Sequence, residues 1–91
     1  MLESDYGVHV YDAGRWMRMN PAGTLMQMMT ALGWSKYTAK NVLAAGQLGK
    51  TGYLPTGTHK AGTTIRPGPQ FGPDEMQRSV QLIGDVRERV G

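Results

Sequence analysis

The hydrophobic pattern in the middle of the chain predicts two helices joined by a tight turn. Apolar side chains recur at helical spacing on both sides of Gly33, which can adopt the left-handed conformation that ends a helix. Asn20 is a good N-cap and proline suits a first helical position, so we expect the first helix over 21–32. Ser35 can accept a hydrogen bond from a free backbone N–H. It therefore predicts the start of a second helix over 35–48.

Alternating patterns on the two flanks of this helical pair predict two β-hairpins. Residues 6–19 alternate on both sides of Asp12-Ala13-Gly14, which supplies a turn. Residues 50–66 hold two short segments rich in β-branched and aromatic residues, around a loop bracketed by Pro55, Gly57 and Gly62. We expect the first hairpin to pack on the helices, because an isolated hairpin is only marginally stable.

The last part of the chain predicts a connector followed by a third helix. Three prolines in residues 67–73 favour an extended path, and Phe71 is expected to anchor it to the core. From Pro73 to about Val90, apolar residues recur at spacings of three and four. We expect residues 1–72 to form the main domain and 73–91 to pair with a second copy, with packing on its own domain as the alternative. The predicted dimer interface is Met76, Val80, Ile83, Val86 and Val90.

The central helical pair resembles the helix-turn-helix of DNA-binding regulators. In that family an apolar residue precedes the turn glycine, another follows it, and two more on the second helix pack back. Those positions are here Leu32, Trp34, Ala39 and Val42. A hairpin directly after the second helix resembles the wing of a winged helix-turn-helix. The expected fold class is therefore α+β: a small winged helix-turn-helix-like domain with an N-terminal hairpin, two central helices, a second hairpin and a C-terminal helix.

Charge is segregated along the chain, whose formal net charge is +3. No acidic residue occurs between Ala13 and Pro73, whereas residues 1–12 carry only acids and the two signs mix from Asp74 onward. A positive surface without internal acidic partners is suited to polyanions, although dispersed cations can also simply keep a small domain in solution. The cations of the acid-free stretch are Arg15, Arg18, Lys36, Lys40, Lys50, Lys60 and Arg66.

The resemblance places the second helix against the DNA major groove, where Lys can donate to guanine and Asn can bond adenine. Hydroxyl-bearing and basic residues of the following loop would contact phosphates. A basic but merely solvated helix face and an ordinary surface loop are the alternatives. The candidate DNA-binding residues are Ser35, Lys36, Tyr37, Lys40, Asn41, Lys50, Thr58, His59, Lys60 and Arg66.

Four methionines cluster in and just before the first predicted helix: Met19, Met26, Met28 and Met29. Methionine adapts to irregular gaps and is also used at adaptable binding surfaces. Core filling is the favoured interpretation, and a Met-lined groove for a partner is the alternative.

Other chemistry finds little support in the sequence. Residues 44–51, AAGQLGKT, match a permissive phosphate-loop pattern, but they follow a predicted helix and precede a segment that cannot start one. There is no cysteine, and only His9 and His59 could offer imidazole ligands, so neither a metal nor another cofactor is expected. With no carboxylate in the central body, an enzyme acting on a small-molecule substrate is not expected.

No apolar run approaches the roughly 20 residues that span a bilayer, and the N-terminus lacks the apolar region of a signal peptide. An intracellular, cytoplasmic protein without membrane contact is expected, nucleoid-associated if it binds DNA.

Two functions remain. The first is a sequence-specific regulator of the repressor or excisionase class, dimeric on double-stranded DNA. The second is a non-enzymatic assembly protein, such as a small virion component or adaptor, that docks on a larger protein.

Overall fold

The computed structural model describes residues 6–47, 49–57 and 60–81. Over these residues the protein is mostly helical and has no sheet. Helix α1 packs against each of the other three described helices. The helices are α1 (Gly7–Met19), α2 (Leu25–Leu32), α3 (Lys36–Gly46) and α4 (Pro73–Ser79).

The predicted α+β class is wrong, beginning with the N-terminal hairpin, which is instead α1. The buried positions of α1 include Gly7, Val10, Gly14 and Met17, a spacing of three and four that marks one helix face. Gly14, a predicted turn residue, lies inside the helix. Its missing Cβ leaves room for the Phe71 ring, whose Cζ would lie 2.7 Å from a Cβ built there. Tertiary packing, not a turn, explains this glycine.

The second predicted hairpin is also wrong, because the chain after α3 forms turns instead of strands. The carbonyl oxygen of Gln47 accepts hydrogen bonds from the N–H groups of Lys50, Thr51 and Gly52 at 2.9–3.1 Å. The carbonyl of Gly46 accepts from the N–H of Leu54 at 2.7 Å. These N–H groups satisfy the carbonyls at the end of α3 and are therefore not available for hydrogen bonds between strands.

The later residues of that predicted hairpin form hydrogen bonds with the start of α2 instead. The N–H groups of Leu25 and Met26 donate to the carbonyls of Thr63 (3.1 Å) and Ala61 (2.9 Å). Next to these bonds, Thr24 and Thr64 form an isolated antiparallel bridge. Residues 61–64 therefore satisfy backbone donors that the first turn of α2 would otherwise leave free.

Helix α2 begins later than predicted, with Thr24 instead of Asn20 as its N-cap. Thr24 Oγ1 accepts from the N–H of Gln27 at 3.2 Å, and Gln27 Oε1 accepts in return from the N–H of Thr24 at 3.0 Å. This reciprocal pair is a capping box. Asn20 lies at the end of α1, where its Nδ2 donates to the carbonyl of Trp16 at 2.8 Å.

The predicted turn between α2 and α3 is confirmed. Gly33 has φ 70° and ψ 32°, the left-handed conformation. The N–H of Gly33 donates to Thr30 at 3.3 Å and that of Trp34 to Met29 at 2.8 Å, which is the Schellman arrangement. Ser35 caps α3 as predicted, with its Oγ accepting from the N–H of Thr38 at 3.2 Å. Helix α3 ends at Gly46, two residues before the predicted end.

Gly33→Ala should lower the free energy of unfolding by about 1–2 kcal/mol, because an L-residue is strained at this positive φ. No atom lies within 4 Å of a Cβ built at Gly33, so the loss would come from backbone strain alone. Gly62→Ala is the matched control, since its Cβ also meets open space and its φ is not positive. Urea unfolding measures both variants. Equal stability of the two would contradict the left-handed turn.

The core has two parts. The larger cluster joins the inner faces of α1, α2 and α3 to three residues outside the helices, Trp34, Leu54 and Ile65. The smaller cluster pairs Tyr11 of α1 with Phe71, which anchors the connector as predicted. An Arg18 guanidinium nitrogen also donates to the Phe71 carbonyl at 2.7 Å, which holds the connector against α1.

Helix α4 packs on α1 through the smaller cluster. Met76 is half-buried against Tyr11 and Phe71, whereas Val80 is 45% exposed. The other predicted dimer residues, Ile83, Val86 and Val90, lie outside the described residues. Dimerisation through this helix and the division at residue 72 stay predictions.

Tyr53, in the turns that follow α3, packs against the smaller cluster. The Tyr53 ring lies 5.3 Å from that of Tyr11 and 6.2 Å from that of Phe71. Burial, followed by the Tyr11 phenol and the Glu75 carboxylate, raises the pKa of Tyr53 above its usual value. The phenol therefore keeps its proton to a higher pH than an exposed tyrosine would.

Candidate nucleic-acid interface

Helix α3 is held by its apolar face and presents its polar face outward. Trp34, Ala39 and Val42, which match apolar positions of the helix-turn-helix pattern, are buried, and Leu32 is half-buried. Helix α1 packs against this buried side. The orientation of α3 is thereby set by apolar side chains just before the helix and along its buried face.

The opposite face of α3 carries the candidate residues of its first turns. Ser35, Lys36, Tyr37 and Lys40 are all exposed, with Tyr37 at 73%. Lys36 and Lys40 are four residues apart and so lie on one side, one turn from each other. Two ammonium groups and a phenol hydroxyl are thus available to a ligand that approaches α3 from solvent.

Asn41, the predicted adenine-reading residue, is differently placed. It is half-buried, and its Nδ2 donates to the Tyr6 hydroxyl at 3.3 Å. This bond links α3 to the residue that precedes α1. A base contact by Asn41 would have to replace it, so Asn41 is a weaker candidate than the lysines.

The remaining candidate DNA-binding residues lie in the part of the chain that follows α3. Lys60 is exposed and directly precedes Ala61, which lines the same groove as Lys36 and Lys40. Lys50 is exposed in the turn after α3, whereas Arg66 lines a separate depression. Thr58 and His59 lie outside the described residues. The structure thus brings Lys36 and Lys40 together, leaves Lys60 near them and places Arg66 elsewhere.

Two further cations of the acid-free stretch are engaged in the fold. Arg18 donates to the Phe71 carbonyl, and Arg15 is half-buried on α1. The positive character of the α3 surface therefore comes from its lysines and not from the whole acid-free stretch.

An apolar groove of about 470 Å³ lies beside the lysines, between α2 and α3. Leu25, Met26 and Met29 of α2 face Ala39 and Leu43 of α3 across it. The favoured interpretation of the methionines as core filling holds for Met28 and Met29, which are buried, but Met26 is 48% exposed. The groove depends on how the two helices cross, and its signal in the sequence is the methionine cluster, of which Met26 and Met29 line it.

Comparisons of this chain with protein-family models, with curated proteins and with solved structures give no match. Within the described residues, no helix has the length and apolar character needed to cross a bilayer. In the same residues, no three His, Asp or Glu side chains are grouped to hold a metal ion.

Proposed function

We propose that this protein is a small, non-enzymatic regulator that binds double-stranded DNA through the N-terminal half of α3. One observation carries the proposal: Lys36, Tyr37 and Lys40 are exposed together on a helix whose start is fixed by a Schellman turn and a serine cap. They lie within a stretch, 13–73, that contains no acidic residue.

The dimensions of α3 suit the major groove. Its 11 residues span about 16 Å, and a helix fits lengthwise into a groove about 12 Å wide. Ammonium groups at Lys36 and Lys40 would neutralise phosphates and release counterions, which is the main source of affinity for DNA. Tyr37 can donate its hydroxyl to a phosphate or a base edge.

Fluorescence anisotropy on a labelled duplex tests the proposal, with Lys40→Gln and Gln70→Glu as a matched pair. Each variant makes the net charge more negative by one, but Gln70 is exposed in the connector and is not part of α3. Lys40→Gln should weaken binding by about threefold to tenfold and reduce the salt slope by about one. Gln70→Glu should change affinity by less than about twofold, since it only alters the long-range field.

Failure of any duplex to bind at low salt would remove the proposal. Equal weakening by the two variants would also contradict it, because net charge rather than the α3 surface would then set the affinity. Circular dichroism of both variants confirms that each retains its helices.

The second candidate function, an assembly protein that docks on a larger protein, is favoured by a different observation. The groove beside the lysines is lined mainly by apolar side chains, which duplex DNA does not require. An oligomeric mass that rises with a protein partner and is indifferent to DNA would favour this second candidate.

A further inference from the structure

We propose that the groove between α2 and α3 binds an amphipathic helix of a partner protein whose apolar stripe is flanked by carboxylates. This proposal is independent of DNA binding, because it concerns the apolar floor of the groove as well as its charged edge.

The length of the groove matches a short helix. Its α3 wall extends from Lys36 to Ala44, about 12 Å or two helical turns. A helix in a groove is recognised through apolar anchors at i, i+3 or i+4 and i+7, which together span about 10 Å. The volume of about 470 Å³ leaves room for such anchors but not for a whole domain.

The floor and wall of the groove are apolar. Leu25, Met29 and Leu43 retain little exposed surface and form the base of the groove. Met26 stands 48% exposed at the side. Methionine repacks against differently shaped apolar side chains, so this wall can accommodate leucine or another aliphatic anchor. An apolar stripe would therefore cover surface that the described fold leaves in contact with water.

The edge of the groove determines the charge of the partner. Lys36 and Lys40 border it on α3, and none of the described residues that line it is acidic. Carboxylates that flank the apolar stripe would pair with these two ammonium groups and would disfavour basic helices. Duplex DNA supplies negative charge but no apolar stripe to cover Met26. An acidic amphipathic helix complements both features of the groove.

The test measures binding of a fluorescent synthetic peptide to the full chain by anisotropy, without DNA. The peptide has about 14 residues, with leucines at i, i+3 and i+7 and glutamates beside them. A second peptide carries lysine in place of every glutamate. The acidic peptide should bind at least about tenfold more tightly than the basic one, because like charges at the edge disfavour the latter.

Two methionine variants separate the groove from general surface effects. Met26→Glu should weaken the acidic peptide at least about tenfold, since it places a carboxylate in the apolar wall beside the peptide's glutamates. Met19→Glu is the same substitution at a methionine that is 62% exposed and does not line the groove. It should leave the affinity within about twofold of the unchanged chain. Equal effects of the two variants would overturn the proposal.

A charge swap gives a second, independent readout. Lys36→Glu together with Lys40→Glu should weaken the acidic peptide and strengthen the basic one, because the edge then carries the opposite sign. Unchanged preference would overturn the proposal. Binding of neither peptide to the unchanged chain would overturn it as well, whereas loss of duplex binding with retained peptide binding would contradict only the DNA-binding function.

Discussion

Gly14→Ala should lower the free energy of unfolding by about 1–3 kcal/mol, the usual cost of forcing extra volume into a packed core. A Cβ at this position would overlap the ring of Phe71, with Cζ at 2.7 Å. Both residues are buried, so neither can move aside into solvent. The sign is informative, because alanine is otherwise favoured over glycine in a helix interior by about 1 kcal/mol. Urea unfolding followed by circular dichroism measures the change.

A double-mutant cycle identifies the ring as the cause. Phe71→Ala alone should cost about 3–5 kcal/mol, since it empties the centre of the smaller cluster. In that background Gly14→Ala should become neutral or stabilising, because the clash is gone and only helix propensity remains. Stabilisation by Gly14→Ala in the unchanged chain would show that the connector does not pack on α1 as described.

Gly68→Ala should lower the free energy of unfolding by about 3 kcal/mol, at the upper end of the cost of overpacking. A Cβ at Gly68 would overlap the carbonyl oxygen of Gly52 and lie 2.8 Å from that of Leu54. These are backbone atoms, which cannot rotate away as a side chain can. The Gly68 N–H also donates to the Tyr53 carbonyl at 2.9 Å, so displacement of the connector would break this bond.

Gly62→Ala is the matched control for this variant. A Cβ at Gly62 meets no atom within 4 Å and its φ is not positive, so stability should change by less than about 0.5 kcal/mol. Thermal unfolding of the two variants gives the comparison directly. A small effect at Gly68 would contradict the close approach of the connector to residues 52–54.

The central helical pair could be predicted because its signals are local. Gly33 ends a helix through its own backbone conformation, and Ser35 caps the next helix through a residue three positions later. The first helix could not be predicted in the same way. Gly14 resembles a turn residue, and its real reason, the Phe71 ring, lies far away in the sequence.

The strand prediction over 50–66 is wrong for a related reason. Its threonines, Tyr53 and Ile65 favour strands, but its backbone donors and acceptors are taken by the ends of α3 and α2. The bond from the Leu25 N–H to the Thr63 carbonyl joins residues that no local pattern relates. Tertiary hydrogen bonding overrode the strand propensity of these residues.

Only the part of the candidate site that lies on α3 could be predicted from the sequence. The exposure of Lys36, Tyr37 and Lys40 follows from the helical period once α3 is placed. The bond that holds Asn41 to Tyr6 depends on the position of α1. The groove beyond the lysines depends on the crossing of α2 and α3 and on Ala61, none of which a linear pattern contains.

The carbonyl of Gln47 has a consequence for any partner that meets α3. Three backbone donors converge on this oxygen, just after the last turn of the helix, while the Schellman turn holds its beginning. Because hydrogen bonds already hold both ends of α3, a partner that docks on it need not order the backbone of this helix. Binding at this surface therefore costs α3 little conformational entropy, as in preorganised binding sites.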